Sequence, residues 1–149
     1  MNAHHAEFLV EIEELVEHIF ADLDELRATR TEGRARRELI DRIFRRVHSV
    51  KGSAATCGLA VVSQIAHEFE NLLAEVRAGR VLIDDDLVDT CESAADALSE
   101  SLTLAESGVV EPSRRELFNR LQAAAQNTTS NELTESEAIL KHIPFEIWE

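Results

Sequence analysis

The residues best suited to chemistry in this chain are a histidine and two neighbours on one face of a predicted helix. His48 is followed by Lys51 three positions later and by Gly52 four positions later, and residues at these spacings share a helical face. A cation and a position without a side chain next to an imidazole suit a role of that imidazole as a nucleophile that another protein must reach. The pattern indicates a histidine that accepts an anionic group, such as a phosphoryl group, from a docked partner.

A second pair of polar residues, His67 and Glu70, lies about as far after the predicted turn at Cys57–Gly58 as His48 lies before it. If the two helices are antiparallel neighbours, a rise of about 1.5 Å per residue brings these side chains to similar heights. A carboxylate that accepts a hydrogen bond from Nδ1–H leaves Nε2 free and stabilises positive charge on an attacking ring. We therefore expect Glu70 to orient His48 and Lys51 to steady the transferred oxygens.

Apolar periodicity predicts the elements that position this site. The predicted helices cover about 4–30, 36–55, 59–78 and 84–107, with a shorter fifth helix ending near 126. The apolar stripe predicted for the first helix begins at Phe8, and Phe44 and Leu59 are predicted to face inward on the second and third helices. Gly33 is predicted to break the first helix and Gly58 to end the second. Aspartates at 84–86 suit a helix N-terminus, and Ser113 with Glu116 forms a capping box before the fifth helix. The predicted fold class is all-α, an antiparallel up-down four-helix bundle with an appended fifth helix.

The chain is predicted to contain one domain and a tail. Its 149 residues are enough for one hydrophobic core, and we assign residues 1–127 to the helical bundle. Residues 128–149 are assigned to a polar linker and tail, in which residues 143–149 alternate like a strand without a predicted partner. Two interpretations of this tail stay open: the start of a further domain, or a segment that packs on the bundle.

Charge and hydropathy argue against several classes of partner. A formal net charge of −14 disfavours nucleic acid and anionic membranes, and no apolar run reaches the ~18 residues of a membrane span. Residues 34–51 nevertheless carry seven basic and two acidic side chains, which predicts an anionic visitor near His48. Because no signal peptide precedes the first helix, we expect a cytoplasmic protein. Its two cysteines lack C-x-x-C spacing and are expected to be buried, reduced thiols, although a disulfide stays open.

Two runs of sequence resemble a known family. Residues 48–59, His-Ser-Val-Lys-Gly-Ser-Ala-Ala-Thr-Cys-Gly-Leu, resemble the motif of histidine phosphotransfer (HPt) domains. Residues 66–77 resemble more specifically the HPt domain of CheA-type chemotaxis kinases. The resemblance covers about residues 5–125. It departs from the family at Cys57 and Leu59, where aromatic residues usually flank the glycine, and this departure concerns local packing rather than chemistry.

The resemblance implies a fold, a reaction and partners. The fold is a four-helix bundle plus a fifth helix, and the partners are a histidine-kinase catalytic domain, in cis or in trans, and response-regulator receiver domains of two-component chemotaxis signalling. The domain itself would bind no cofactor, since ATP and Mg²⁺ would sit on the kinase domain. Without an ATP-binding motif, the chain would act as a phosphoacceptor and would be an enzyme only as part of a longer kinase. The implied site residues are His48 as phosphoacceptor with Glu70, Lys51 and His67, and Arg45 and Gly52 on the docking surface.

Two other interpretations stay open from the sequence. His48, His67 and Glu70 converging in a helical bundle are candidate ligands for zinc or iron. A di-iron bundle, however, needs Glu-x-x-His on two helices, and here one such pair exists in reversed order. The other alternative is a phosphate-inert docking module that keeps the bundle without the relay. The motif favours phosphotransfer because its helical context is also met.

Overall fold

Helices account for nearly all of the residues that the computed structural model describes, which are 3–29, 33–107 and 114–126. The elements are α1 (Ala3–Ala28), α2 (Gly33–Thr56), α3 (Ala60–Arg77), α4 (Asp85–Ser107) and α5 (115–126). No strand occurs among the described residues, so the predicted all-α class is confirmed. The predicted strand-like run at 143–149 and the capping residue Ser113 lie outside the described residues. The division between residues 127 and 128 stays a prediction.

Four of the helices form an antiparallel up-down bundle, as predicted. Each helix from α1 to α4 contacts the next, and α1 also contacts α4, which closes the ring. The short connections require successive helices to run in opposite directions. Cross-helix ion pairs agree with these directions: Arg27 at the end of α1 contacts Asp89 near the start of α4 at 2.7 Å, and Arg77 at the end of α3 contacts Asp41 of α2 at 2.8 Å.

The fifth helix packs along α4 in the opposite direction. Arg114 lies 3.5 Å from the hydroxyl of Ser101, late in α4, and Arg120 lies 3.4 Å from the hydroxyl of Ser93, early in α4. Leu121 is buried against the bundle core. α5 is therefore an appendage to the bundle that packs along α4, as predicted.

The core follows the predicted stripes with one correction in α1. The buried residues of α1 are spaced by threes and fours, and that spacing includes Leu9 rather than the predicted Phe8, which is half-buried. Phe44 and Leu59, also predicted to face inward, are half-buried and pack against the core. The fully buried large side chains include Ile12, Ile19, Leu23, Leu26, Ile40, Ile43, Ile65, Phe69, Leu72, Leu73 and Leu98.

Two helix boundaries show how the termini are stabilised. Asp84 caps α4 as predicted, because its Oδ1 accepts a hydrogen bond from the amide of Leu87 at 2.8 Å. Gly33, predicted as a break, is instead the first residue of α2, a position where a glycine costs little helix stability. Cys57 and Cys91 are both free thiols, but only Cys91 is buried as expected, because Cys57 lies in the turn after α2 and is half-buried. Among the described residues no helix has the length and apolar character needed to cross a membrane.

The turn between α2 and α3 holds together the two helices that carry the candidate site. Gly58 has a φ of +73°, a left-handed conformation that favours glycine. The amide of Leu59 donates to the carbonyl of Ala54 at 2.9 Å, and that of Gly58 donates to the carbonyl of Ala55 at 3.2 Å. These bonds form a Schellman motif. The predicted stop at Gly58 is confirmed, and the turn forms without flanking aromatic residues because Leu59 packs against the core.

A buried carboxylate holds α1 to α2. The side chain of Asp22 is 5% exposed and accepts hydrogen bonds from Arg42 at 2.8 Å and from Arg46. A buried charge requires such partners. The two arginines of α2 neutralise the Asp22 carboxylate of α1 and thereby join the two helices. Arg42 and Arg46 of the basic segment are therefore paired with a carboxylate of the protein itself.

Replacing Asp22 by alanine is expected to lower the free energy of unfolding by about 2–3 kcal/mol, because two guanidinium groups lose their shared, buried acceptor. Urea denaturation followed by circular dichroism measures this change. Glu25→Ala is the matched control, since Glu25 also accepts from Arg42 at 3.0 Å but is 59% exposed. We expect its loss to stay below about 1 kcal/mol, and equal losses in the two variants would contradict the role given to Asp22.

Candidate functional site

His48 presents an exposed ring on α2 that is held from one side by a carboxylate of α3. Nδ1 of His48 lies 2.7 Å from Oε2 of Glu70, and 65% of the His48 side chain is exposed. An ionised carboxylate only accepts hydrogen bonds, so Nδ1 carries the proton at this contact and Nε2 of the neutral ring is unprotonated. The free nitrogen of an exposed ring is therefore available as a nucleophile.

Glu70 is shared between His48 and Lys51. Nζ of Lys51 donates to Oε1 of Glu70 at 2.9 Å, so each carboxylate oxygen has its own partner. The Glu70 side chain is only 15% exposed. Burial by itself raises the pKa of Glu70, but the hydrogen bonds from Lys51 and His48 outweigh burial, and the net result is a pKa below the ordinary value. Glu70 is therefore ionised at neutral pH and orients the ring through a charge-assisted hydrogen bond.

An open depression next to Lys51 lies between α2 and α3. Its volume is about 650 Å³, and its lining residues are Lys51, Gly52, Ala55, Gly58, Ala60, Ser63, Gln64 and His67. A Cβ atom added to Gly52 would meet nothing within 4 Å, so the space over this position is open. A surface of small side chains beside an exposed nucleophile is suited to the approach of another macromolecule.

The remaining predicted residues lie around this cluster rather than in it. His67 lines the depression, and its Nε2 lies 3.4 Å from Nδ2 of Asn71. Arg45 is 70% exposed, one turn before His48, and lies 3.5 Å from Asp41 of its own helix. The structure therefore brings His48, Lys51 and Glu70 together, while His67, Arg45 and Gly52 border them.

The start of α3 contributes lining residues that the sequence analysis missed. Ala60, Ser63 and Gln64 line the depression, and the hydroxyl of Ser63 donates to the carbonyl of Lys51 at 3.4 Å. These residues precede His67 at spacings of seven, four and three, which places them on one helical face. That spacing was the available signal, although alanine, serine and glutamine carry no chemistry that would single them out.

The metal-site alternative requires three convergent ligands, and the described residues do not supply them. Within residues 3–29, 33–107 and 114–126, no group of three or more His, Cys, Asp or Glu side chains is arranged to hold a metal ion. His67, the third ligand of that alternative, contacts Asn71 instead. The geometry thus favours a nucleophilic imidazole over a metal centre in the described part of the chain.

Comparison with known proteins gives three kinds of match. A family model described as the Hpt domain matches residues 5–103. The chemotaxis protein CheA of Cereibacter sphaeroides is 40% identical over 101 residues, which are 68% of this chain and 15% of that protein. The chemotaxis protein CheA of Listeria monocytogenes is 40% identical over 88 residues, which are 55% of this chain and 14% of that protein. The chain therefore spans only a small part of the length of these relatives.

A solved structure also matches most of the chain. It is the crystal structure of the phosphorylated P1 domain of CheA3 in complex with CheY6 from R. sphaeroides. The TM-score is 0.74 at 28% sequence identity, and the match covers 86% of this chain and 99% of that one. The similarity thus extends over nearly the whole of that P1 domain.

The lowered pKa of Glu70 predicts an acid-dependent contribution to stability. Because the folded-state pKa lies below the ordinary value of 4.5, this stabilisation is fully present above about pH 4.5 and is lost as the pH falls through the folded-state pKa. Glu70→Gln does not titrate, so the difference in free energy of unfolding between wild type and variant should shrink below about pH 4.5. Urea denaturation across this range measures it, with Glu68→Gln of the same helix as the control. A difference independent of pH would contradict the ionised Glu70.

Proposed function

The chain belongs to the Hpt domain family, and we propose that it relays a phosphoryl group through His48 in a CheA-like chemotaxis signalling system. The observation that carries the proposal is the exposed His48 ring, bound at Nδ1 by ionised Glu70 so that Nε2 is the free nitrogen. The similarity to proteins named CheA and to a phosphorylated P1 domain supports the assignment.

In the first step of the proposed reaction, Nε2 of His48 attacks the γ-phosphorus of ATP, which is held with Mg²⁺ by a histidine-kinase catalytic domain. The Nε2–P bond forms while the bond from phosphorus to the β,γ-bridging oxygen breaks, and ADP leaves with that electron pair. The ring keeps its Nδ1 proton and becomes cationic. Glu70 stabilises this charge, as the carboxylate of a serine-protease triad does for its histidine.

Lys51 has two effects in this step. It holds the second oxygen of Glu70, which keeps the carboxylate oriented towards the ring. It also lies three residues after His48 on the same helical face, where a cation reduces the repulsion between Glu70 and the incoming phosphoryl oxygens. The phosphoryl group is thus accepted at a place where the negative charge of Glu70 is already partly balanced.

In the second step, a carboxylate oxygen of a receiver aspartate attacks the phosphorus. The P–Nε2 bond breaks, its electron pair returns to the ring, and His48 is again neutral with its proton on Nδ1. The open depression next to Lys51 gives a receiver or kinase domain a surface to dock against, and the similar P1 domain was crystallised with CheY6. Dependence on ATP-bound kinase and on a receiver leads us to infer a cytoplasmic location for the domain.

Replacing His48 by glutamine is expected to abolish phosphorylation while leaving the melting temperature nearly unchanged, because the side chain is largely exposed. The assay incubates the domain with a CheA kinase core and radiolabelled ATP, and tests the acid lability and base stability of the product. His18→Gln, at an exposed position of α1, is the matched control and should still be labelled. Label on the His48→Gln variant would place the phosphorylation site elsewhere.

Gly52→Gln is expected to slow transfer to a receiver without destabilising the domain. The new side chain has room on the protein itself, and glutamine favours a helix over glycine by about 0.5–1 kcal/mol. It would, however, occupy the space that a docked partner needs, so we expect a loss of about tenfold in transfer rate. Gly33→Gln, also in open space but at the start of α2, controls for the change in propensity. Equal transfer rates for both variants and wild type would argue against docking over Gly52.

A further inference from the structure

Two contacts between α2 and α3 repeat with the same spacing on both helices. Oδ1 of Asp41 lies 2.8 Å from Nε of Arg77, and Nδ1 of His48 lies 2.7 Å from Oε2 of Glu70. The two α2 residues are seven apart, and so are the two α3 residues, so both contacts belong to one antiparallel register. At about 1.5 Å per residue, the two contacts lie about 10 Å apart along the same interface.

Each contact also has a third member in the same relative position. Phe44, three residues after Asp41, lies against Arg77, whose Cζ is 4.2 Å from the centroid of the Phe44 ring. Lys51 occupies the equivalent place relative to Glu70, at 2.9 Å. Arg77 is thus held in two ways, by charge at Asp41 and by stacking on Phe44, and a planar guanidinium group is suited to both contacts. This three-residue contact is here called the Arg77 clamp.

The Arg77 clamp and the turn at Gly58 bracket the site. The turn joins α2 to α3 on one side of the His48–Glu70 contact, and the clamp joins the same two helices on the other. The turn at Gly58 fixes only one end of the α2–α3 pair. The rotation of α3 and its position along α2 must therefore be fixed by contacts farther from the turn. Slippage of α3 by one residue would move Glu70 by about 1.5 Å, which is enough to break a hydrogen bond to Nδ1.

We propose that Arg77 is a positioning residue for phosphotransfer, which sets through Asp41 and Phe44 the register in which Glu70 meets His48. The proposal rests on the proposed function of His48 for its kinetic consequence, but the geometry of the ring can be measured without any reaction. Arg77 acts through Glu70, about two helical turns from the reacting nitrogen. It therefore affects the tautomer and orientation of the ring rather than touching the phosphoryl group.

The first test compares the His48 ring in wild type, Arg77→Gln and Arg27→Gln by nitrogen-15 NMR. Arg27 joins α1 to Asp89 and Glu92 of α4, so its replacement removes the same charge and an interhelical ion pair at a different interface. We expect a ring protonated at Nδ1 in wild type and Arg27→Gln, and a mixture of tautomers in Arg77→Gln. An unchanged tautomer in Arg77→Gln would overturn the proposal. Asp41→Asn breaks the same clamp and gives the same test if Arg77→Gln folds poorly.

The second test measures the rate of phosphorylation by a CheA kinase core. Arg77→Gln is expected to be slower by about tenfold, since small displacements of a catalytic group carry large penalties. Arg77→Lys keeps the charge without the planar group and should recover part of the rate. In a Glu70→Ala background, Arg77→Gln should have no additional effect, because the residue through which it acts is gone.

The outcomes of the two tests distinguish failure of the proposed role of Arg77 from failure of the proposed phosphotransfer by His48. An equal rate loss in the Glu70→Ala background would show that Arg77 acts on the fold as a whole, and would overturn its role as a positioning residue. Absence of label on wild type would instead overturn the proposed function of His48, and the NMR comparison would then decide on the clamp alone.

Discussion

The arrangement of the site depends on the contacts of a single carboxylate, Glu70, with His48 and Lys51. Glu70 is mostly buried, and each of its oxygens has a separate partner that stabilises its charge, one on His48 and one on Lys51. Both partners lie on α2, while the carboxylate lies on α3. The site therefore exists only if the two helices have one particular register, and the glycine turn at one end and the Arg77 clamp at the other both act on that register.

The sequence was sufficient to predict features that depend on periodicity or on distance from a turn. Helical stripes predicted the bundle and most of its core, and similar separations from the turn at Cys57–Gly58 predicted that Glu70 would meet His48, which the structure brings within 2.7 Å. The choice between Phe8 and Leu9 was wrong, because two adjacent apolar residues at the start of a helix both extend a stripe, and only the packing of neighbouring helices decides between them.

Contacts that depend on which faces of neighbouring helices pack together could not be predicted from periodicity. Asp22 resembles any surface aspartate in the sequence, and its burial follows from the direction in which α1 faces α2, where two arginines meet it. His67 shares a helical face with Glu70, yet it borders the depression because its ring contacts Asn71 of its own helix. The basic segment 34–51 likewise appeared to be a single patch, whereas several of its charges are bound by carboxylates of α1 and α2.

The two nitrogens of the His48 ring have different surroundings in the fold. On the Nδ1 side the domain supplies a shaped, charged partner, while the exposed ring leaves Nε2 to whatever protein approaches. A domain that orients the ring in the same way for donor and acceptor has little influence on the direction in which the phosphoryl group moves. In the proposed relay, the direction of net flow is thus set by the free energies and concentrations of the donor and acceptor, and the domain serves as a reversible carrier between them.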